Sequence, residues 1–225
     1  MCLGAELGRA AVPRADMDAT VPMLWLDDLA SWDGALPAVL VRIDCTREMR
    51  HALLNEMAAR ALGRPADAVS IVHRPGRGPI VTSADPMDIA PALRVSLASR
   101  GRISAVAAAF GPIGIDVEMV DVAGEVPWGV LHPNERALLA RLSGSECAAA
   151  FARLWTLKEA YLKARRWGLA HDPASFEVSF VDESHARIRD PGEGRQVLDA
   201  VTVWRAVDGG SAALSAVLLG SEPAR

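Results

Sequence analysis

The sequence has few of the features that would assign a function at once. Three cysteines occur among its 225 residues, at positions 2, 45 and 147, and their scatter offers neither metal-ligand spacing nor a disulfide framework. A reducing compartment is the simplest interpretation, and we expect a cytoplasmic protein. The first residues also lack a basic stretch followed by an apolar run, which argues against a signal peptide.

Excess positive charge and long apolar runs are absent as well. The formal net charge of −4 argues against a protein that binds nucleic acid by counterion release. The longest apolar run, from Ile103 to Ile115, is interrupted by Gly111 and Pro112 and is too short to cross a bilayer. Because 51% of the residues are hydrophobic, we expect a globular protein with a substantial core and no nucleic-acid or membrane partner.

Lysine is the scarcest charged residue. Only Lys158 and Lys163 occur among the 24 basic residues, and both lie in one segment, 155–163. Lysine carries a compact ammonium on a flexible chain, whereas the guanidinium of arginine is planar and rigid. The two are therefore not equivalent where a site must place a single positive charge against one oxygen atom. The pattern favours a specific role for these lysines. The alternative is chance in an arginine-rich composition.

Hydrophobic periodicity predicts an α+β protein with helices and strands in a similar order in two halves. A helix is expected over 47–62, with Thr46 as N-cap and Gly63 as stop signal, and further helices over 134–142 and 145–166. Residues 74–91 are expected to form a loop, and 102–110 and 113–118 a hairpin. Other predicted strands cover 69–72, 175–181, 186–189, 197–206 and 212–219.

The expected organisation is a loose tail over 1–20, an N-terminal half over 21–112 and a C-terminal half over 113–225 that carries the site. The segment Ile103-Ser-Ala-Val106 recurs as Leu214-Ser-Ala-Val217, late in each half. A repeat of four residues is too short to decide whether the two halves arose by internal duplication.

The predicted strand 113–118 carries two carboxylates on one face. Side chains alternate along a strand, so Asp116 and Glu118 share a face with Gly114 and lie ~6–7 Å apart, while the isoleucines and Val117 face the core. That spacing suits two oxygens on one hard cation, and the glycine suits close approach of a ligand. An ordinary amphipathic strand with a wet face is the alternative.

The helix that follows carries a charged stripe. Trp155, Glu159 and Lys163 are four residues apart, with Lys158 at the border of the stripe. A solvated face with a weak ion pair is the alternative, but a tryptophan is unusual on such a face. With the strand, this gives three carboxylates and two ammonium groups, a composition typical of a magnesium-dependent phosphoryl-transfer site.

The two segments together resemble the paired signature of the 4′-phosphopantetheinyl transferases. The first is Gly114-Ile-Asp116-Val-Glu118, and the second, about forty residues later, is Trp155-x-x-Lys158-Glu159-x-x-x-Lys163. The spacing is similar to that of the monomeric surfactin-synthetase (Sfp) type, and the likeness of layout covers roughly residues 45–220. The resemblance implies a pseudo-dimer of two similar α/β halves with the active site between them, and a monomeric protein.

The resemblance also implies an activity. Phosphopantetheine would pass from coenzyme A to a serine of an acyl or peptidyl carrier protein, as in a holo-[acyl-carrier-protein] synthase, with release of 3′,5′-ADP. Asp116, Glu118 and Glu159 would hold Mg²⁺, and Glu159 or a water on the metal would take the serine proton. Lys163 would stabilise charge on the phosphates and leaving group. Lys158 and Trp155 would shape the site and position the phosphates.

The segments expected to bind coenzyme A depart from the family pattern. In the Ser-His-Ser motif Ser96 is kept, but Leu97 replaces the histidine that helps to hold the 3′-phosphate, and a leucine cannot donate a hydrogen bond. Arg77 stands for the lysine of a Gly-Lys-Pro loop, and Arg166 for the first glycine of Gly-x-Gly-Leu. Further candidate phosphate contacts are arginines on the first helix or close to Leu97, with solvated loop arginines as the alternative: Arg50, Arg94, Arg100 and Arg102.

These departures support a second hypothesis. A divergent homologue would bind a carrier protein or a coenzyme A-like ligand without transferring phosphopantetheine. Dependence of coenzyme A binding on its 3′-phosphate would favour the transferase. The sequence leaves the carrier open among polyketide, non-ribosomal peptide, siderophore and fatty-acid pathways.

Overall fold

The structure, a computed structural model, describes residues 23–73, 78–83, 93–194 and 197–220. The predicted tail over 1–20 and Arg77 lie outside the described residues. Within those ranges no helix has the length and apolar character needed to cross a membrane.

The N-terminal part forms a six-stranded sheet with the order β1-β2-β6-β5-β4-β3. Strands β1 and β2 are parallel, and the other neighbours are antiparallel. The helix α1 lies between β2 and β3 in sequence. The elements are β1 (Leu24–Leu26), β2 (Ala38–Ile43), α1 (Arg47–Ala61), β3 (Val69–Val72), β4 (Ile80–Ser83), β5 (Arg94–Arg100) and β6 (Ile103–Ala109).

The C-terminal part forms a five-stranded antiparallel sheet with the order β7-β11-β10-β9-β8. Along the chain, two α-helices lie between β7 and β8. The elements are β7 (Ile113–Met119), α2 (Pro133–Leu139), α3 (Gly144–Arg165), β8 (Glu177–Phe180), β9 (His185–Arg189), β10 (Val197–Val207) and β11 (Gly210–Leu218). The α+β class is thereby confirmed.

The two sheets pack against each other, and each carries a helix on its outer face. Alternation along β2 shows the arrangement: Val39 and Val41 join the core between the sheets, whereas Ala38 and Leu40 pack under α1. On the other side, α3 covers the C-terminal sheet with residues such as Leu157. The result is a four-layer α-β-β-α arrangement in which β7 is buried between β5 and α3.

The two sheets share one order of elements. A first strand, β2 or β7, leads into helix and then into four antiparallel strands, and the last of these, β6 or β11, returns to pair with the first strand. The repeated segments Ile103–Val106 and Leu214–Val217 lie on β6 and β11, which hold equivalent places in their sheets.

Several expectations about single elements are confirmed. Helix α1 begins after Thr46, whose side chain accepts a hydrogen bond from the Met49 amide, and α2, α3, β3 and β8–β11 lie where the sequence predicts. The predicted hairpin over 102–118 is wrong. Strand β6 pairs with β5 and β2, whereas β7 pairs with β11, so Gly111 and Pro112 carry the chain from one sheet to the other.

Two further differences concern strands. Strand β4 lies inside the segment 74–91 that was expected to be a loop, because glycine and proline occupy four of the six positions 74–79 but none of 80–83. Strands β1, β2 and β5 were not predicted, although β2 and β5 are interior strands of their sheet.

Candidate active site

Strand β7 brings two carboxylates under helix α3. Ile113, Ile115 and Val117 are buried in the core between the sheets, as their alternation predicted. Asp116 points towards α3 and is 7% exposed. On its other edge, β7 is tied to β5, because the amide of Ile115 donates to Ser96 Oγ at 3.1 Å.

Gly114 lets the strand approach the helix, not a ligand. A Cβ atom at Gly114 would lie 1.9 Å from the carbonyl oxygen of Ala160 and 2.6 Å from the amide nitrogen of Ala164. The expectation that the glycine serves close approach of a ligand is therefore wrong. The contact instead presses β7 onto the turn of α3 between Glu159 and Lys163 and so sets the distance between strand and helix.

Lys163 reaches across from α3 to the strand. Its Nζ donates to Asp116 Oδ1 at 2.6 Å and to the carbonyl oxygen of Ile115 at 3.1 Å, and its side chain remains 31% exposed. The second carboxylate, Glu118, is half-buried and pairs with Arg100, whose Nε lies 2.9 Å from Glu118 Oε2. Each of these two acids thus faces a cation.

The electrostatics show that the three predicted acids lie close together. Burial is the main cause that raises the pKa of Asp116, Glu118 and Glu159 above their ordinary values. The charge of Asp116 raises the pKa of Glu159 further, and Asp116 and Glu159 both raise that of Glu118. The charge of Lys163 lowers the pKa of all three acids, which indicates that its ammonium lies close to each of them.

One carboxylate oxygen in this arrangement is suited to a divalent cation. Asp116 Oδ2 is buried and has no hydrogen-bond partner among the described residues, so it is an acceptor that a cation would satisfy. With their present partners, no three His, Cys, Asp or Glu side chains in the described ranges converge as a ready metal cluster. Lys163 binds an oxygen of Asp116, and Arg100 binds an oxygen of Glu118. Both carboxylates would therefore have to rotate to bind a cation together.

Lys158 does not lie with these residues. It is fully buried on the opposite side of α3, where its Nζ contacts Glu135 Oε1 at 2.9 Å and donates to the carbonyl oxygens of Pro173 and Phe176. Glu135 is also buried and accepts from the amides of His132 and Val178. This placement gives no support to the predicted contact with phosphates, since every proton of the ammonium has a protein acceptor.

Two cavities open on either side of the acidic cluster. The first, of about 340 Å³, lies between β5, β7 and the C-terminal end of α3. Its walls include Lys163, Ser96 and Leu97, together with Arg94 and Arg166.

The second cavity, of about 510 Å³, is lined by Trp155, Phe151, Val126, Glu118 and Arg100 among others. The stripe on α3 therefore runs from one cavity to the other. Eight residues separate Trp155 from Lys163, a rise of about 12 Å.

The remaining predicted contacts are dispersed. Arg50 donates from Nη1 to the carbonyl oxygen of Cys45 at 3.2 Å and is not among the described residues that line either cavity. Arg102 pairs with Asp44 and Asp208 at a distant surface. Glu135 was missed, and the only signal for it is its place three residues after His132 in a capping box.

Comparison with known families agrees with this site. Residues 112–216 match the family model described as the 4′-phosphopantetheinyl transferase superfamily. The matched segment begins just before β7 and ends within β11, so it contains all three acids and both lysines. The match covers less than half of the chain and shows that this segment is similar to that superfamily. A comparison with curated proteins found no match.

Proposed function

We propose that the protein transfers 4′-phosphopantetheine from coenzyme A to a serine of an acyl or peptidyl carrier protein, with Mg²⁺, and releases 3′,5′-ADP. The observation that carries the proposal is the cluster of Asp116, Glu118 and Glu159 around Lys163, on the segment that matches the superfamily. Three acids and one lysine can hold a cation and a pyrophosphate side by side.

The two cavities support the same substrate. Coenzyme A has an anionic nucleotide end and a longer, mostly uncharged pantetheine arm. Cationic side chains line the cavity at the Lys163 end of the stripe, whereas aromatic and apolar side chains line much of the cavity at the Trp155 end. A substrate that spans both would place its pyrophosphate beside the acids.

The reaction would use the chain's own groups as follows. Asp116, Glu118 and Glu159 would hold Mg²⁺, which neutralises charge on the pyrophosphate when bound. The carrier serine Oγ would form a bond to the phosphorus attached to pantetheine, and the bond from that phosphorus to the oxygen of 3′,5′-ADP would break. Glu159, whose pKa burial raises, would take the serine proton, and the Lys163 ammonium would stabilise the departing phosphate.

The proposal keeps Trp155 as a wall of the pantetheine groove and Ser96 as a residue of the nucleotide cavity. Arg77 and Arg50 stay predictions, and Lys158 is left out because its buried partners satisfy it. The shared order of elements in the two sheets supports a pseudo-dimer of halves at 21–112 and 113–225, as in the Sfp type. We also propose a monomeric, cytoplasmic protein.

A divergent binding protein is the second candidate. Leu97 lies in the cationic cavity where the family pattern has a histidine, and this favours a homologue that binds a coenzyme A-like ligand without transfer. Binding of coenzyme A without release of 3′,5′-ADP, with every carrier offered, would support it.

Release of 3′,5′-ADP from coenzyme A, Mg²⁺ and apo-carrier protein tests the transferase. Asp116→Asn and Glu159→Gln should each reduce turnover by on the order of a hundred-fold or more while the circular dichroism spectrum is retained. Asp199→Asn is a matched control, since Asp199 is exposed and far from the cluster. Unchanged turnover in Asp116→Asn would remove the basis of the proposal.

A further inference from the structure

We propose that Arg94 and Arg166 bind the 3′-phosphate of coenzyme A and replace the histidine that this chain lacks at Leu97. The inference rests on the proposed function, because that function supplies a ligand with a ribose phosphate. The site is the cavity of about 340 Å³ between β5 and the C-terminal end of α3, which we call the nucleotide cavity.

The charge of the nucleotide cavity favours a polyanion. Its described lining residues include three cationic side chains, Arg94, Lys163 and Arg166, and no acidic one. Like charges around a concave, poorly solvated space focus a field that attracts an anion. Lys163 is held beside the acids by Asp116 and the Ile115 carbonyl oxygen, so we place the pyrophosphate there and the further phosphate at the two arginines.

Arg166 occupies an unfavourable backbone position. It ends α3 with φ 59°, in the left-handed region where glycine is the usual residue. A side chain with a Cβ is strained there, and such strain persists where surrounding contacts or function require it. Its Nη2 donates to the carbonyl oxygen of Pro79 at 3.4 Å, and Pro79 is itself on the cavity wall. The guanidinium therefore lies at the cavity wall.

Arg94 faces the cavity from the opposite sheet. It is half-buried at the start of β5, and its side chain makes no hydrogen bond or ion pair to the residues that the structure describes. The other arginines close to Leu97 are engaged elsewhere, since Arg100 pairs with Glu118, and Arg102 with Asp44 and Asp208. Of the three arginines close to Leu97, Arg94 is therefore the one whose guanidinium is available to a ligand in this cavity.

The chemistry of a phosphate monoester suits two guanidinium groups. It carries between −1.5 and −2 charges at pH 7, with oxygens that accept in pairs. An arginine fork can donate two parallel hydrogen bonds to such a group, which a neutral leucine cannot replace. One arginine from each half of the chain would then grip the phosphate on two sides.

Calorimetric titration of the full chain with 3′,5′-ADP and with 5′-AMP tests the site without any need for turnover. The wild type should bind 3′,5′-ADP more tightly. Arg94→Gln and Arg166→Gln should each weaken the binding of 3′,5′-ADP about ten- to a hundred-fold, because each removes a charge-assisted hydrogen bond. The affinity for 5′-AMP should change little. Arg141→Gln, at an exposed arginine outside the cavity, is the control. A melting curve of each variant checks the fold.

The outcomes separate this inference from the proposed function. Equal affinity of the wild type for the two nucleotides, or unchanged affinity in both arginine variants, overturns the arginine site even if phosphopantetheine is transferred. Selective binding that both variants abolish supports the site even if no carrier is modified. If Arg166→Gln does not fold, the Arg94→Gln result decides.

Discussion

Asp116 is a carboxylate whose burial is costly to maintain. It is buried, one carboxylate oxygen accepts a hydrogen bond from Lys163, and the other has no hydrogen-bond partner in the part of the chain that the structure describes. Burial of such a carboxylate costs free energy, and an acid perturbed in this way marks a candidate functional site. The same holds for Glu159, whose pKa is raised by burial and by Asp116.

The raised pKa values of the three acids predict a pH dependence. The folded state binds these protons more tightly than the unfolded chain, so the free energy of unfolding should fall as pH rises from the ordinary values of 3.8 and 4.5 through the raised folded values. Metal-free Asp116→Asn should therefore show a shallower decline as pH rises above 3.8, the ordinary pKa of the aspartate it lacks, measured by urea unfolding. Mg²⁺ should raise the melting temperature more at pH 7 than at pH 5. Parallel pH profiles for the two proteins would contradict the assignment.

Lys158 shows how a residue in a matching pattern can have a structural role. Its ammonium has Glu135 and two carbonyl oxygens as partners in the core. Lys158→Met should cost about 3–5 kcal/mol of unfolding free energy, because it leaves the Glu135 carboxylate buried without its cation.

Adding Glu135→Gln to Lys158→Met should recover part of the loss seen in chemical denaturation. A single variant as stable as the wild type would show that the pair is dispensable.

At the scale of elements, the contact between β7 and α3 builds the site. The absence of a side chain at Gly114 lets the strand meet the helix backbone, and the same contact sets Asp116 opposite Lys163. The sequence predicted which face of β7 would be polar and which stripe of α3 would be charged. It did not predict that the two would touch, because strand and helix periodicity describe one element at a time.

Gly114→Ala should therefore separate the strand from the helix. The added methyl group would collide with the Ala160 carbonyl, and we expect a loss of about 1–3 kcal/mol or more together with reduced turnover. Gly129→Ala is the matched control, since a Cβ there would meet no described atom within 4 Å. Equal melting temperatures for the two variants would contradict the close contact.

The end of α3 offers a separate test of backbone strain. Arg166→Gly and Arg166→Ala both remove the guanidinium, but only glycine relieves the left-handed conformation. The glycine variant should be more stable than the alanine variant by about 1 kcal/mol in thermal unfolding. A more stable alanine variant would show that the residue does not hold this conformation in solution.

At the scale of the molecule, two sheets with one order of elements face each other and place the site at the edge where β7 meets β5. The class, most elements and the polar face of β7 followed from the sequence. The hairpin over 102–118 did not, because glycine and proline mark a change of direction without saying whether the next strand stays in the same sheet. Strand β2 was missed because its sides face two different cores and it shows no polar alternation.

The two halves contribute unequally to the site. The acids and Lys163 come from the C-terminal half, which the superfamily model matches, whereas Ser96, Leu97 and Arg94 come from the N-terminal half. The residues that depart from the family pattern in the nucleotide cavity come from both halves, Leu97 from outside the matched segment and Arg166 from within it. Under the proposed function, differences in substrate affinity are therefore expected to map to both sides of this cavity.

The intact mass of an apo-carrier protein, after incubation with this protein, coenzyme A and Mg²⁺, tests the central claim most directly. We predict that at least one carrier gains the mass of a single phosphopantetheine group, and that the gain disappears when the carrier serine is changed to alanine or when Asp116→Asn replaces the wild type. No gain in mass with any acyl or peptidyl carrier, in a sample shown to be folded and to bind coenzyme A, would contradict the account.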